Sequence, residues 1–268
     1  MAHTLYENFF LSNEVEDQFN SHLDLQQFCT IDNSLVGVAG MKTVINTYRA
    51  TDGTEKLVMG AGNTKSIEVN LTDAEYEIAL AQNRFDYYDE QAMKDPNVVP
   101  VGMKHAGTDM FNTVNADIFA EFNKTGIEVP ATDFGFDAFV DAVAALNMEN
   151  DESVTVFAFV CPKDKAKVRK ALKDDLKYIE AYARTGYIGT VAGVHLYTKK
   201  DATEGTIVVA TKEAVTIFNK KGVEVEQVTK DKRSEESANV RKNSIFSRKY
   251  YIVALTDESK AVKIVLGA

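Results

Sequence analysis

Alternation of apolar and polar positions is the clearest local pattern in this chain. Ile67, Val69 and Leu71 alternate with Glu68, Asn70 and Thr72, and Tyr76, Ile78 and Leu80 alternate with Glu75, Glu77 and Ala79. A period of two predicts a half-buried strand. Met41 to Tyr48 alternates more loosely, so residues 41–82 read as a long two-stranded excursion. Asp52-Gly53 is its turn dipeptide, and Gly60-Ala61-Gly62-Asn63 is a second flexible stretch. A helical reading competes on the return. Thr72-Asp73-Ala74-Glu75 matches a capping box, and Tyr76, Leu80, Asn83 and Tyr87 keep helical spacing. The strand is preferred because alternation runs on both sides of Thr72.

A period of 3.6 takes over after residue 96. Met103, Met110, Val114, Ile118 and Phe122 form one stripe, widened by Phe111 and Phe119. Asp95-Pro96 and Val99-Pro100 suit a helix entry, and Lys124-Thr125-Gly126 reads as a basic last turn with a C-cap glycine. Gly102 and Gly107 weaken the start and place the expected beginning near Thr108. Residues 127–200 read as α/β. Phe136, Phe139, Val140, Val143 and Leu146 make a helix, and Val154 to Val160 is an apolar run fit for a buried strand. Cys161-Pro162 opens another helix through Val168, Leu172 and Leu176.

Before residue 41 the pattern is weak. Phe9, Phe10, Leu11, Val15 and Phe19 give one face of a short helix, and Asp24 to Cys29 adds a further turn. We read residues 1–40 as an arm that packs on something else. After residue 184 the chain is strand-rich: Thr185 to Tyr197, Gly205 to Ala210, Ala214 to Phe218, Val223 to Glu226, Tyr250 to Leu255 and Ala261 to Leu266. Residues 230–244 are the most charged and least apolar stretch and read as a solvated loop between strands.

Composition narrows the function classes. With 268 residues and 29.7 kDa the chain is one large or two small domains. No apolar run approaches the ~20 residues of a membrane span, and Met1 to Glu7 shows no secretion signal. Cys29 and Cys161 are too few and too far apart for a disulfide framework, which suits a reducing birthplace. The net charge of −10 argues against a tight grip on nucleic acid by the chain as a whole. It does not argue against a protein that surrounds nucleic acid.

Catalytic patterns are missing. Gly60-Ala61-Gly62-Asn63-Thr64-Lys65-Ser66 departs from a phosphate loop, because Thr64 stands where the motif needs Gly and the segment leads into a strand. His3, His22, His105 and His195 fall at no metal-ligand spacing. Asp86, Asp89 and Glu90 read as a solvated acidic face. Tyr87-Tyr88 sits among these acids, not among the cations a base-stacking platform needs. The expectation is a non-enzyme with no catalytic, cofactor or metal residues.

Taken as an ordered set, these elements resemble the major capsid proteins of tailed bacteriophages, the Hong Kong ninety-seven-type coat fold. Tyr187-Ile188-Gly189 with Ala192-Gly193-Val194 looks like that family's strand–turn–strand in the axial domain, and Lys212 to Phe218 looks like its lead into the returning sheet. The resemblance implies an α+β fold in six parts. These are an N-terminal arm (1–40), an extended β-hairpin loop with its strands (41–82) and a peripheral domain with a long spine helix (83–126). There follow an α/β axial domain (127–218), a return to the peripheral β-sheet carrying the charged loop 230–244 (219–256), and a C-terminal strand (257–268).

It further implies self-assembly through pentamers and hexamers into an icosahedral shell that encloses double-stranded DNA without binding it specifically. Scaffolding and portal proteins, and in some members a decoration protein, are the implied partners; because the chain opens almost directly on its arm, the expectation is either a separate scaffolding protein or an arm that is already mature. The implied location is the virion, after synthesis in the bacterial host cytoplasm. The family's neighbour contacts fall on Arg49, Asp52, Gly53, Lys56, Gly60, Gly62 and Lys65 of the extended loop, and on Lys232, Arg233, Glu235, Glu236 and Arg241 of the charged loop. Lys56 and Lys65 also sit where some members form Lys–Asn cross-links, with no partner asparagine identifiable. An encapsulin-type compartment shell is the alternative on the same fold, and a small-molecule α/β enzyme is the remote one.

Overall fold

The computed structural model describes residues 23–40, 42–148, 153–173 and 189–267. The expected arm positions Phe9 to Phe19, the segment Thr185 to Ile188 and Leu176 lie outside these residues. Strands, in chain order, are β1 (Thr30–Asp32), β2 (Lys42–Ala50), β3 (Val69–Glu77), β4 (Ala79–Tyr88), β5 (Glu128–Ala131), β6 (Val156–Val160), β7 (Thr190–Val191), β8 (Val194–Thr198), β9 (Thr206–Thr211), β10 (Val215–Val228), β11 (Lys242–Leu255) and β12 (Ala261–Leu266). Helices are α1 (Asp89–Lys94), α2 (Val98–Phe122), α3 (Phe136–Ala145), α4 (Pro162–Ala171) and α5 (Glu235–Asn239).

Two sheets share the long helix α2. The six-stranded sheet runs β5-β12-β9-β6-β8-β7, and the four-stranded sheet runs β1-β10-β11-β4. β6 explains how they meet. All five of its residues are buried, because both of its faces are covered, which is why the run is apolar throughout. Val156, Ala158 and Val160 pack with Phe139 and Ala142 of α3 and Val168 of α4. Phe157 and Phe159 point the other way, into a cluster with Ile118, Phe119 and Phe122 of α2. The Phe122 and Phe159 rings meet edge to face with centroids 5.4 Å apart. Each fully buried ring of this kind contributes roughly 1.5–3 kcal/mol by area.

The root of the N-terminal segment belongs to this core. Asp24 caps a 3₁₀ turn at Leu25–Phe28 by accepting the Gln26 N–H, and Leu25, Phe28 and Cys29 are buried against α2 and β6. The Phe28 ring meets Phe157 at a tilt and Phe159 and Tyr197 edge to face. The turn expected over Asp24 to Cys29 is therefore present, and what it packs on is its own subunit. Burial, with Asp24 nearby, pushes the Cys29 thiol up to about 12, so it behaves as a small hydrophobe.

Five expectations change. The long helix begins at Val98, ahead of Thr108, and ends at Asn123, whose side chain donates to the Phe119 carbonyl. Gly126 is not its C-cap; its N–H is held by the Glu258 carboxylate, 2.8 Å away. The alternation that starts at Ile67 splits into β3 and β4, and β4 continues to Tyr88 through the positions that also fitted a helix. Ala214–Phe218 and Val223–Glu226 are one strand, because bulges between Asn219 and Glu224 absorb the extra residues. The stretch 230–244 is not all loop. It holds a 3₁₀ turn and α5, and Lys242, Asn243 and Ser244 already belong to β11. Gly189 to Tyr197 contains a two-residue hairpin with Ala192 (φ 49) and Gly193 (φ 80) at its turn, the mirror-image geometry that suits strand twist.

Candidate assembly surfaces

The β2–β3 ribbon pairs in register from Lys42 opposite Glu77 to Ala50 opposite Val69. Arg49 stands opposite Asn70. At the root Lys42 bridges Glu75 and Glu77, each at 3.0 Å. Beyond the strands the segment 51–68 closes on itself. The Thr51 N–H donates to the Glu68 carbonyl (2.9 Å) and the Glu68 N–H to Thr51 Oγ1 (3.0 Å). Glu55 accepts both the N–H and the hydroxyl of Thr64 (2.8 and 2.7 Å), and these bonds, the backbone one foremost, hold its carboxyl below the ordinary range. Asn63 donates to the Lys65 carbonyl at 2.6 Å.

Asp52-Gly53 is not the turn. The chain reverses at Val58–Ala61, where the Ala61 N–H reaches the Val58 carbonyl and Gly60 takes φ +91. Gly53 has a different task. A Cβ there would stand 2.6 Å from the Ile67 backbone nitrogen, so only glycine lets the two limbs meet. Asp52, Lys56, Gly62 and Lys65 are exposed along the limbs. The tip is apolar: Leu57, Val58 and Met59 are 49%, 81% and 102% exposed. Three apolar side chains in a row inside a loop were a signal in the sequence that the reading passed over.

At the other end of the four-stranded sheet two charge clusters meet. The acids Asp86, Asp89 and Glu90 and the cations of residues 230–244 are one structure. Asp86 pairs with Arg84 (2.7 Å) and Lys242 (2.9 Å) and accepts the Ser244 hydroxyl (2.6 Å). Burial raises its carboxyl, but these three partners outweigh it and hold it at about 2. Asp89 binds Arg233 at 2.7 Å and Asn243 at 2.8 Å. Glu90 binds Arg241 at 2.7 Å.

The Arg233 side chain is only 7% exposed, so its charge is already paired within the subunit. Lys232, Glu235 and Glu236 remain exposed at the rim. So do Met93 and Val240, at 81% and 51%. The acids read from sequence as a solvated face are thus the anchor of the charged segment.

Among the described residues no three His, Cys, Asp or Glu side chains gather as a metal site, and no helix is long and apolar enough to cross a membrane. What the geometry offers is surface: a projecting ribbon with a greasy tip and a charge-clamped rim.

No family model and no curated protein matches the sequence. Solved structures do match. The capsid of cyanophage P-SCSP1u aligns over 92% of this chain and 89% of that one, with TM-score 0.70 and 13% identity. The mature capsid of bacteriophage PhiM1 aligns over 92% and 88%, with TM-score 0.70 and 11% identity. A virus-like particle from Pyrococcus furiosus aligns over 90% and 92%, with TM-score 0.58 and 12% identity. The chain has the fold of these proteins, as the order of its elements implied.

Proposed function

We propose that this chain is the major capsid protein of a tailed bacteriophage, many copies of which close into an icosahedral shell around double-stranded DNA. The observation that carries the reading is the β2–β3 ribbon with its self-closed loop and bare tip, set in a fold that matches capsid chains along about nine-tenths of both partners. A two-stranded ribbon is marginal alone in water, and an apolar tip is stable only when something covers it. A neighbouring copy supplies that cover. In this reading Arg49, Asp52, Gly53, Lys56, Gly60, Gly62 and Lys65 line or shape one contact. Lys232, Glu235, Glu236 and Arg241 meet their copies at a junction, while Arg233 holds that rim in shape. The shell sits in the virion, is made in the bacterial cytoplasm, and works with scaffolding and portal proteins.

The test is particle formation. Purified chain should sediment as megadalton shells in negative stain, and deletion of residues 52–62 should leave folded subunits without shells. Normal shells from the deletion would end this reading of the loop. Shells that package protein cargo and never DNA would favour the encapsulin-type alternative.

A further inference from the structure

The sulfur atoms of this chain are placed unevenly. Both cysteines are buried. Of the described methionines, Met110 is 6% exposed, and Met103 and Met148 are half-buried. Met59 and Met93 are bare, at 102% and 81%. Met93 lies at the charged rim. Met59 stands at the tip of the projecting loop, where the shell reading puts an apolar contact.

The turn explains the exposure. The Ala61 N–H donates to the Val58 carbonyl at 3.0 Å, Gly60 takes φ +91, and Met59 keeps a negative φ. This is a type II turn with Met59 at its second position and the required glycine at its third. At full exposure the Met59 side chain rests on nothing in its own subunit, so its own fold gives no reason for a thioether there. A partner does. Leu57 and Val58 beside it are also exposed, and the three make one apolar point. Methionine is unbranched and polarizable, and it suits a contact that must fit an irregular apolar surface.

The same position leaves the sulfur open to oxidants. A thioether sulfur attacks one oxygen of a peroxide: an S–O bond forms, the O–O bond breaks, and the transferred oxygen gives its proton to the leaving one. Sulfur is oxidised by two electrons, and the peroxide is reduced to water or an alcohol. The sulfoxide is polar and chiral. Covered by apolar side chains, its oxygen lacks a hydrogen-bond donor, and a buried polar group without a partner is disfavoured. Methionine sulfoxide reductases reverse the step with a dithiol, which leaves as a disulfide while the oxygen leaves as water.

We propose that Met59 is a reversible oxidation site that decides whether the loop docks: peroxide reaches its thioether in the free subunit, and the sulfoxide keeps the tip off the next copy. The proposal rests on the shell reading, in which a neighbour covers the tip, and adds a chemical control to it. A shell repeats the contact in every copy, so oxidation before assembly acts on all of them. Assembly in turn shields the sulfur.

The experiment uses full-length unassembled chain and dilute hydrogen peroxide, with peptide mass spectrometry following the added oxygen at each methionine. Met59 and Met93 should react first and Met110 last. Chain oxidised at Met59 should yield about tenfold fewer sedimenting particles or worse, the effect of ~1.4 kcal/mol at the contact. Sulfoxide reductase with dithiothreitol should restore the yield. Met59→Leu keeps the tip apolar without sulfur, and should assemble like wild type before and after peroxide, which separates the switch from general oxidative damage. Met93→Leu should stay peroxide-sensitive. Met59→Gln, a lasting polar side chain of similar length, should assemble as poorly as the sulfoxide.

Wild-type yield from chain fully oxidised at Met59, or a Met59→Leu chain as sensitive as wild type, overturns the switch. In finished wild-type shells Met59 should gain oxygen more slowly than in free subunits, and equal rates would also overturn it. Untreated wild-type chain that forms no particles brings down the shell reading itself. Particles that form regardless of Met59 oxidation bring down the switch alone.

Discussion

Gly102 of α2 lies against the outer end of the Phe85 ring on β4: a Cβ at position 102 would stand 2.3 Å from Phe85 Cζ, with two more ring carbons within 2.6 Å. The glycine that weakens the helix on paper is the point where helix and sheet touch. Gly102→Ala should therefore destabilise the subunit, since overpacking costs roughly 1–3 kcal/mol against about 1 kcal/mol of regained helix propensity. Gly107, with nothing within 4 Å of its Cβ position, is the control. Gly107→Ala should stabilise by up to ~1 kcal/mol. Urea denaturation of unassembled subunits distinguishes the two, and equal effects would remove Phe85 from the explanation.

That contact shows where sequence reading succeeds and stops. Val156–Val160 and α2 were legible because burial imposes a local period. The start of α2 was not, because the partner of Gly102 sits 17 residues earlier on another element. β4 was ambiguous because its side chains alternate only between half-buried and exposed, too weak a contrast to beat helical spacing. The charged segment misled for the same reason: Arg233 meets Asp89, 144 residues away, and no window contains both. Of the assembly surfaces, the ribbon was readable as alternation, while the role of Gly53 needed the opposite limb in place.

Gly53 supports the second prediction. Its Cβ position lies 2.6 Å from the Ile67 nitrogen and 2.8 Å from the Ser66 carbonyl carbon, both backbone atoms that cannot rotate away. Gly53→Ala should part the limbs of the loop, exposing the Thr51 and Glu68 amides to hydrogen exchange, while global stability changes by less than ~0.5 kcal/mol, as for a surface site. Gly62→Ala, in open space, should do neither. Wild-type exchange rates at Thr51 in the Gly53 variant would contradict the closed loop.

Acid should release the charged rim. The Asp86 carboxyl falls from its ordinary 3.8 to about 2 in the folded chain, and Asp89 is lowered through Arg233 and Asn243. A carboxylate lowered by folding adds stability above its unfolded pKa and loses it as pH falls through the folded value. The window is therefore pH 4 down to pH 2. Limited proteolysis with pepsin should begin to cut residues 229–241 within that window before the rest of the subunit opens. In Asp86→Asn the cut should already occur at pH 4. Cleavage that is independent of pH across the window would mean the clamp does not hold the rim.

Asn115 supports the last prediction, and it concerns the exit of the N-terminal segment. It is 1% exposed on α2. Its Oδ1 accepts the Leu25 N–H at 3.1 Å and its Nδ2 donates to the Leu23 carbonyl at 3.0 Å. One side chain thus satisfies two backbone groups that have left regular structure. Asn115→Leu keeps the volume and removes both bonds, leaving a buried donor and acceptor unpaired, at about 1–3 kcal/mol for each group. Asn115→Asp can still accept from Leu25 but cannot donate to Leu23, and should fall between wild type and Leu. The same order should appear in proteolysis. Cleavage between residues 23 and 30 should be rare in wild type, faster in the Asp variant and fastest in the Leu variant. A Leu variant as stable and as resistant as wild type would show that burial of Leu25 and Phe28 alone fixes the segment, and that the asparagine is dispensable.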